Sequence, residues 1–201
     1  MIYSVETPTG VRDINIELPQ EPFGVLVSGG FDSTLLLYLI AIEAGDRPFF
    51  TCNVQRGAGT EAAAVRVVRA AMTRFGARIT HRQLCTTGAH NMQVLNAAES
   101  YLRTGEVSKV FVADTSNPPD LEQGPWRQPV EKQFAFPKWV FPFLHCDKSH
   151  TVALAQKLGF DDVFNLSHTC TDYENLECGE CWQCRERAWG IAQNGLQAHR
   201  K

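Results

Sequence analysis

The sequence predicts an α/β fold: a doubly wound, mainly parallel five-stranded sheet that ends in a cysteine-rich knot. Three observations carry this. Beyond Pro22, short apolar runs alternate with stretches of helical length, the pattern of βαβ units with helices on both faces of a sheet. The 201 residues are 44% hydrophobic and 20% charged, which is material for one domain with a buried core and excludes whole-chain disorder. Four of the seven cysteines fall between Cys170 and Cys184.

The elements follow in order. Ile2 to Glu6 and Val11 to Leu18 are alternating segments split by Pro8-Thr9-Gly10, and they read as an edge hairpin. Gly24 to Val27 reads as a strand buried on both faces, and Asp32 to Ala44 as a helix stopped by Gly45. Phe49 to Val54 is a strand; Gly59 to Phe75 is an Ala-rich helix with Val65, Val68 and Met72 on one face. Arg78 to Leu84 and Lys109 to Ala113 are strands, with a helix from His90 to Arg103 between them. Asn117 to Pro142 is broken by six prolines and reads as a loop-rich stretch, and the apolar segment Phe134 to Leu144 suits an interface, a lid or plain core. A helix from Ser149 to Leu158, a short strand at Val163 to Leu166 and a last helix from Trp182 to Leu196 complete the chain. The expected organisation is an N-terminal extension (1–20), a main α/β domain (21–168) and a cysteine knot with its helix (169–201).

Nineteen basic against 22 acidic residues give a net charge of −3, which makes no electrostatic case for nucleic acid or an anionic membrane. The longest apolar run, Leu35 to Ile42, is far short of the ~20 residues a spanning helix needs. The N-terminus lacks a basic flank followed by an apolar stretch, so a cytoplasmic protein is expected.

Two motifs carry chemistry. Ser28-Gly29-Gly30-Phe31-Asp32-Ser33-Thr34 joins the first buried strand to its helix. Two glycines let the backbone turn its N–H groups toward one point, the helix N-terminus adds free donors, and Ser28, Ser33 and Thr34 add hydroxyls. Such a loop cradles phosphate. It has neither the Walker spacing nor Gly-x-Gly-x-x-Gly, which excludes the two commoner phosphate loops. In the second motif, Cys178, Cys181 and Cys184 make overlapping C-x₂-C steps and Cys170 supplies a fourth thiolate. Four thiolates close a tetrahedral zinc site of the structural kind; an iron–sulfur cluster takes the same ligands. A disulfide framework fits poorly with an odd cysteine count.

The loop resembles the PP-loop of the adenine-nucleotide α-hydrolase-like ATP pyrophosphatases. Together with Cys170-x₇-Cys178-Gly179-x-Cys181-x₂-Cys184-x₂-Arg187 it is similar to the 7-cyano-7-deazaguanine synthases (QueC), over roughly Gly24 to Gly195. Fainter likenesses are Gln55-Arg56, Asn91, Asp147-Lys148 and Thr169. The resemblance implies an ATP-dependent ligase that adenylates 7-carboxy-7-deazaguanine, releases pyrophosphate into the loop, and uses ammonia to give an amide and then the nitrile. It implies ATP held by Ser28 to Thr34, Mg²⁺ or phosphates oriented by Asp32, structural Zn²⁺, and a homodimer. Asp32, Ser33 and Lys148 become the candidate catalytic residues, with Lys148 stabilising phosphoryl charge; Gln55, Arg56, His90, Asn91, Asp120 and Arg187 become substrate candidates.

Departures from the family pattern fall in loops that would face ligand. Cys52-Asn53-Val54-Gln55-Arg56-Gly57 stands where the family has Asp-Tyr-Gly-Gln-Arg-His, His90 stands for an arginine, and Asn117 to Glu122 replaces a Tyr-Pro-Asp-Cys-Arg segment. They keep three rivals open. One is a paralogue that stops at the amide or passes the activated acid to another amine, even on a protein. The others are a tRNA-thiolating PP-loop enzyme, which would need a reactive cysteine such as Cys52, and a non-catalytic nucleotide-binding or zinc-ribbon protein.

Overall fold

The computed structural model describes residues 1–54, 60–84, 98–121, 137–173 and 176–196. Seven strands are described: β1 (Ile2–Thr7), β2 (Gly10–Asn15), β3 (Phe23–Leu26), β4 (Phe49–Val54), β5 (Ile79–Leu84), β6 (Lys109–Phe111) and β7 (Trp139–Val140). The helices are α1 (Phe31–Ala44), α2 (Thr60–Phe75), α3 (Lys148–Lys157), α4 (Asp161–Leu166) and α5 (Trp182–Gln193), and residues 98–103 are also helical. Five strands form one sheet in the order β5-β4-β3-β6-β7, and every pair in it is parallel. The fold class read from the sequence is therefore the observed one.

The order fixes where a ligand site can lie. β3 is central, the chain winds outward through β4 and β5, and then returns to β3's other side as β6. The carboxyl ends of β3 and β6 flank the switch point where α/β sheets bind ligands.

All four β3 residues are buried because each face of the strand meets a different core. Phe23 and Val25 join α1, α2 and α3 on one side, with Phe23 stacked on Phe49 and edge-on to Phe111 at 5.5 Å in each case. Leu26 turns to the other side, where Tyr101, Leu102, Val110 and Trp139 gather. Period-2 alternation within an all-apolar run is what a doubly covered strand requires.

Four expectations need correction. Val163 to Leu166 is not a strand but the end of α4: Asp161 and Asp162 in its first turn favour the helix dipole, and the Arg66 guanidinium donates to Leu166 O at its end. The fifth strand is instead Trp139–Val140, inside the proline-broken stretch, where a β-branched residue and an aromatic pair with β6. On α2 the face turned to the core is Ala64, Val67, Val68 and Ala71, whereas Met72 is exposed. The hairpin β1–β2 is not an edge of the main sheet; it forms its own antiparallel pair and delivers Ile14 and Ile16, fully buried, to the main core. Of the helix expected over His90 to Arg103, residues 90–97 lie outside the described residues. Among the described residues no helix is long and apolar enough to cross a membrane.

Candidate functional site

The Ser28 to Thr34 loop sits at the carboxyl end of β3 and opens into α1, as the sequence places it. Gly29 adopts φ +78°, a region that favours glycine, and the first turn of α2 presses on it. A Cβ at Gly29 would lie 2.7 Å from both Ala63 Cβ and Ala64 N. Hydroxyls lock the turn: Ser33 Oγ accepts from Ser28 N–H at 3.2 Å and donates to Gly30 O at 3.1 Å, and Ser28 Oγ accepts from Gly30 N–H at 3.3 Å. Thr34 Oγ1 donates to Gly30 O at 2.8 Å. Thus Ser33 and Thr34, both buried, spend their hydroxyls on the loop's own shape. Phe31 packs inward, its ring 4.9 Å from that of Phe164. Ser28, Gly30 and Asp32 are the half-exposed members of the loop, and the first α1 amides have no partner within their helix.

Lys148, first residue of α3, is 4% exposed and so is no surface lysine. Its ammonium is ion-paired to Asp32 Oδ2 and stands 3.5 Å from Glu186 Oε2. Asp32 Oδ1 accepts from Thr151 Oγ1 at 2.9 Å. The fold therefore joins Asp32 and Lys148, which are 116 positions apart in the sequence, beside the loop.

The backbone of Lys148 is seated by α5. A Cβ on Gly190 would fall 2.8 Å from Lys148 O, so only glycine there lets the two helices meet. Arg187, also buried, donates to Thr169 Oγ1 at 3.0 Å, to Glu177 and to Phe164 O, and its guanidinium lies 5.9 Å from the Phe31 ring centroid. Burial lowers its pKa, partly opposed by the neighbouring Glu177. Arg187 thus ties α5 to the back of the loop.

The four cysteines converge. The sulfurs of Cys170, Cys178, Cys181 and Cys184 lie within 4.8 Å of one another, and this group could hold a metal ion. Tetrahedral zinc with Zn–S bonds of ~2.3 Å would set them ~3.8 Å apart, and Cys178 Sγ to Cys184 Sγ is 4.0 Å. Four thiolates at this spacing fit a single tetrahedral ion such as zinc. Backbone N–H groups of Cys181 and Glu180 point at Cys178 Sγ from 3.2 and 3.4 Å, as they do at a thiolate. The knot is wired to the loop: His168, two residues before Cys170, donates its N–H to Gly29 O at 2.8 Å.

Of the remaining candidates, Asp120 is exposed in a turn beyond β6. Gln55, Arg56, His90 and Asn91 lie outside the described residues, as does Cys85. Cys52 is buried in β4, and burial pushes its thiol up to about 12, the reverse of a reactive cysteine. Sequence reading missed Thr151, Glu186, His168 and Gly190. Only Gly190 left a trace, as a glycine inside a helical pattern.

The family model described as "Queuosine biosynthesis protein QueC" matches residues 85–195. A 55-residue stretch is 40% identical to the 7-cyano-7-deazaguanine synthase of Chromobacterium violaceum, covering 27% of this chain and 24% of that enzyme's length.

Proposed function

The chain belongs to the QueC family of queuosine biosynthesis proteins, and from that premise we propose that it is an ATP-dependent PP-loop ligase that activates the carboxylate of a 7-deazaguanine acid and transfers it to ammonia. The observation that carries the reading is the meeting of Asp32 and Lys148 beside the Ser28 to Ser33 loop, at the switch point of the sheet.

The chemistry needs three things that this site can supply. A carboxylate is a poor electrophile, and ATP supplies an adenylyl group that makes its oxygen a leaving group. The departing pyrophosphate needs donors: the α1 N-terminal amides and the half-exposed Ser28 hydroxyl offer them, and the loop is already rigid through Ser33 and Thr34. Negative charge on the phosphoryl oxygens needs a cation, and Lys148 is held ready by carboxylates rather than by water. Asp32 would hold a Mg²⁺ ion accompanying the phosphates, which would supply further neutralisation of their charge, and Lys148 would stabilise the phosphoryl oxygens. Zinc at the four cysteines would do no chemistry; it would hold His168 and α5 against the loop.

The amide-forming paralogue remains the second reading, because the family match begins at residue 85 and leaves the loop and the departures at Cys52 and Asn53 beyond it. Mass spectrometry of products from ATP, 7-carboxy-7-deazaguanine and ammonium decides. Nitrile formation supports the synthase; an amide that persists supports the paralogue. ATP binding with no pyrophosphate exchange for any acid would overturn both in favour of a non-catalytic nucleotide-binding protein.

A further inference from the structure

Lys148 owes its place to a segment distant in sequence. It follows the N-cap of α3, Asp147, whose carboxylate accepts from Ser149 N–H and His150 N–H while His150 Nδ1 returns to the Asp147 backbone, a complete capping box. Ser149 and His150 are fully or almost fully buried, and what covers them is the hairpin turn between β1 and β2. Thr7 Oγ1 lies 3.2 Å from His150 Nε2 and accepts from Ser149 Oγ at 3.1 Å. Thr9 Oγ1 lies 3.2 Å from the same Ser149 hydroxyl, and Gly10 O lies 3.2 Å from His150 Nε2.

The hairpin is anchored independently of these contacts. Ile14 and Ile16 are buried in the main core, Arg12 Nε donates to His145 O at 2.8 Å, and Lys157 Nζ donates to Ser4 O at 2.8 Å. Apolar cover alone would need no hydroxyls at the tip. Here they bond into the helix start that carries the buried Lys148, while Gly190 of α5 closes on the same residue from its own side.

We propose that the Thr7–Gly10 turn is a positioning element for Lys148, fixing the first turn of α3 so that the ammonium stands beside Asp32 and the phosphate loop. The proposal rests on the ligase reading for its catalytic consequence, and on geometry alone for the placement of the lysine.

The test uses the full, zinc-loaded chain with Thr7→Val and Thr9→Val together, a change that keeps side-chain shape and removes the hydroxyls. The first readout is the acetylation rate of Lys148 by a water-soluble active ester, followed by peptide mass spectrometry, with exposed Lys109 and Lys138 as internal references. Loss of the hydroxyl hydrogen bonds should raise Lys148 labelling about tenfold or more and leave the references unchanged. Thr7→Ser with Thr9→Ser should restore protection. The second readout is pyrophosphate exchange, in which kcat should fall about tenfold while KM for ATP stays within about twofold, and the exposed Val11→Thr should change neither. Unchanged labelling of Lys148, or an equal rise at all three lysines, overturns the placement. Raised labelling with unchanged kcat overturns the catalytic role. A wild-type chain with no exchange overturns the ligase reading and the catalytic role with it, while the labelling result still decides the placement.

Discussion

Replacing Gly29 by alanine tests whether the Ser28–Thr34 loop is shaped by α2 or merely lies near it. The added methyl would meet Ala63 Cβ and Ala64 N at 2.7 Å and Ala63 C at 3.0 Å. Two of these are backbone atoms of a helix and cannot rotate away. The residue would also keep φ +78°, which costs an alanine about 1–2 kcal/mol. Forcing a methylene into a packed site adds about 1–3 kcal/mol, so Gly29→Ala should cost about 2–5 kcal/mol in all. Gly30→Ala is the internal control, because its φ of −77° suits alanine and its nearest neighbour is Ser28 Oγ at 3.3 Å, a side chain that can rotate. It should stay within about 1 kcal/mol of wild type. Urea denaturation of zinc-loaded protein, with midpoint and slope compared across the three chains, measures the difference. The same pair should split ATP affinity, since retreat of α2 would deform the Gly29 turn. If Gly29→Ala matched Gly30→Ala within about 0.5 kcal/mol, α2 would not be constraining the loop and the account of its geometry would fail.

Three further outcomes follow from the same contacts. Cys181→Ser should abolish stoichiometric zinc by elemental analysis and unfold or aggregate the chain, since a structural zinc contributes on the order of 10 kcal/mol and this one would tie down both α5 and His168. Burial pushes the Asp147 carboxyl up, but hydrogen bonds from His150, Ser149 and Thr9 outweigh it and hold it at about 2 against an ordinary 3.8. Its folded pKa is the lower one, so its contribution, about 2 kcal/mol, is complete above pH ~4 and is lost as pH falls toward 2; Asp147→Asn should flatten that part of the stability profile. Lys148→Met should reduce pyrophosphate exchange about a hundredfold or more, and a variant retaining more than a tenth of wild-type exchange would remove Lys148 from the phosphoryl step.

What the sequence made legible follows from the range of the interactions involved. β3 was readable because four consecutive buried residues in a strand covered on both faces leave an unbroken apolar run. The cysteine site was readable because its ligands are close in sequence and thiolates have few other reasons to cluster. β7 was not, because a two-residue strand between prolines is made by pairing with Val110 and Phe111 rather than by local preference. Val163 to Leu166 looked like a strand for the complementary reason. Its apolar content suits either element, and what decides is Asp161 and Asp162 at a helix start and Asp162 meeting Tyr38 and Arg74 across the core edge.

The site divides along the same line. The loop announces itself because its backbone conformation demands a particular string, but the groups that set the charge at its mouth do not. Nothing local to Glu186 distinguishes it from a solvated glutamate on a terminal helix, and Thr151 reads as an ordinary first-turn residue. Each acquires meaning only when α3 and α5 cross at Gly190 and bring both to Lys148 and Asp32. That crossing sets the cost of error: a buried ammonium with two carboxylates nearby is tolerable only while all three stay in register, and removing one partner from such a group typically costs about 3–5 kcal/mol. The cysteine cluster, the Arg187 contacts and the N-terminal turn all act on that register from outside the loop. A cysteine cluster and a hairpin outside the main sheet thereby bear on where a single lysine stands, which is why a motif-by-motif reading finds the parts of this site but not what aligns them.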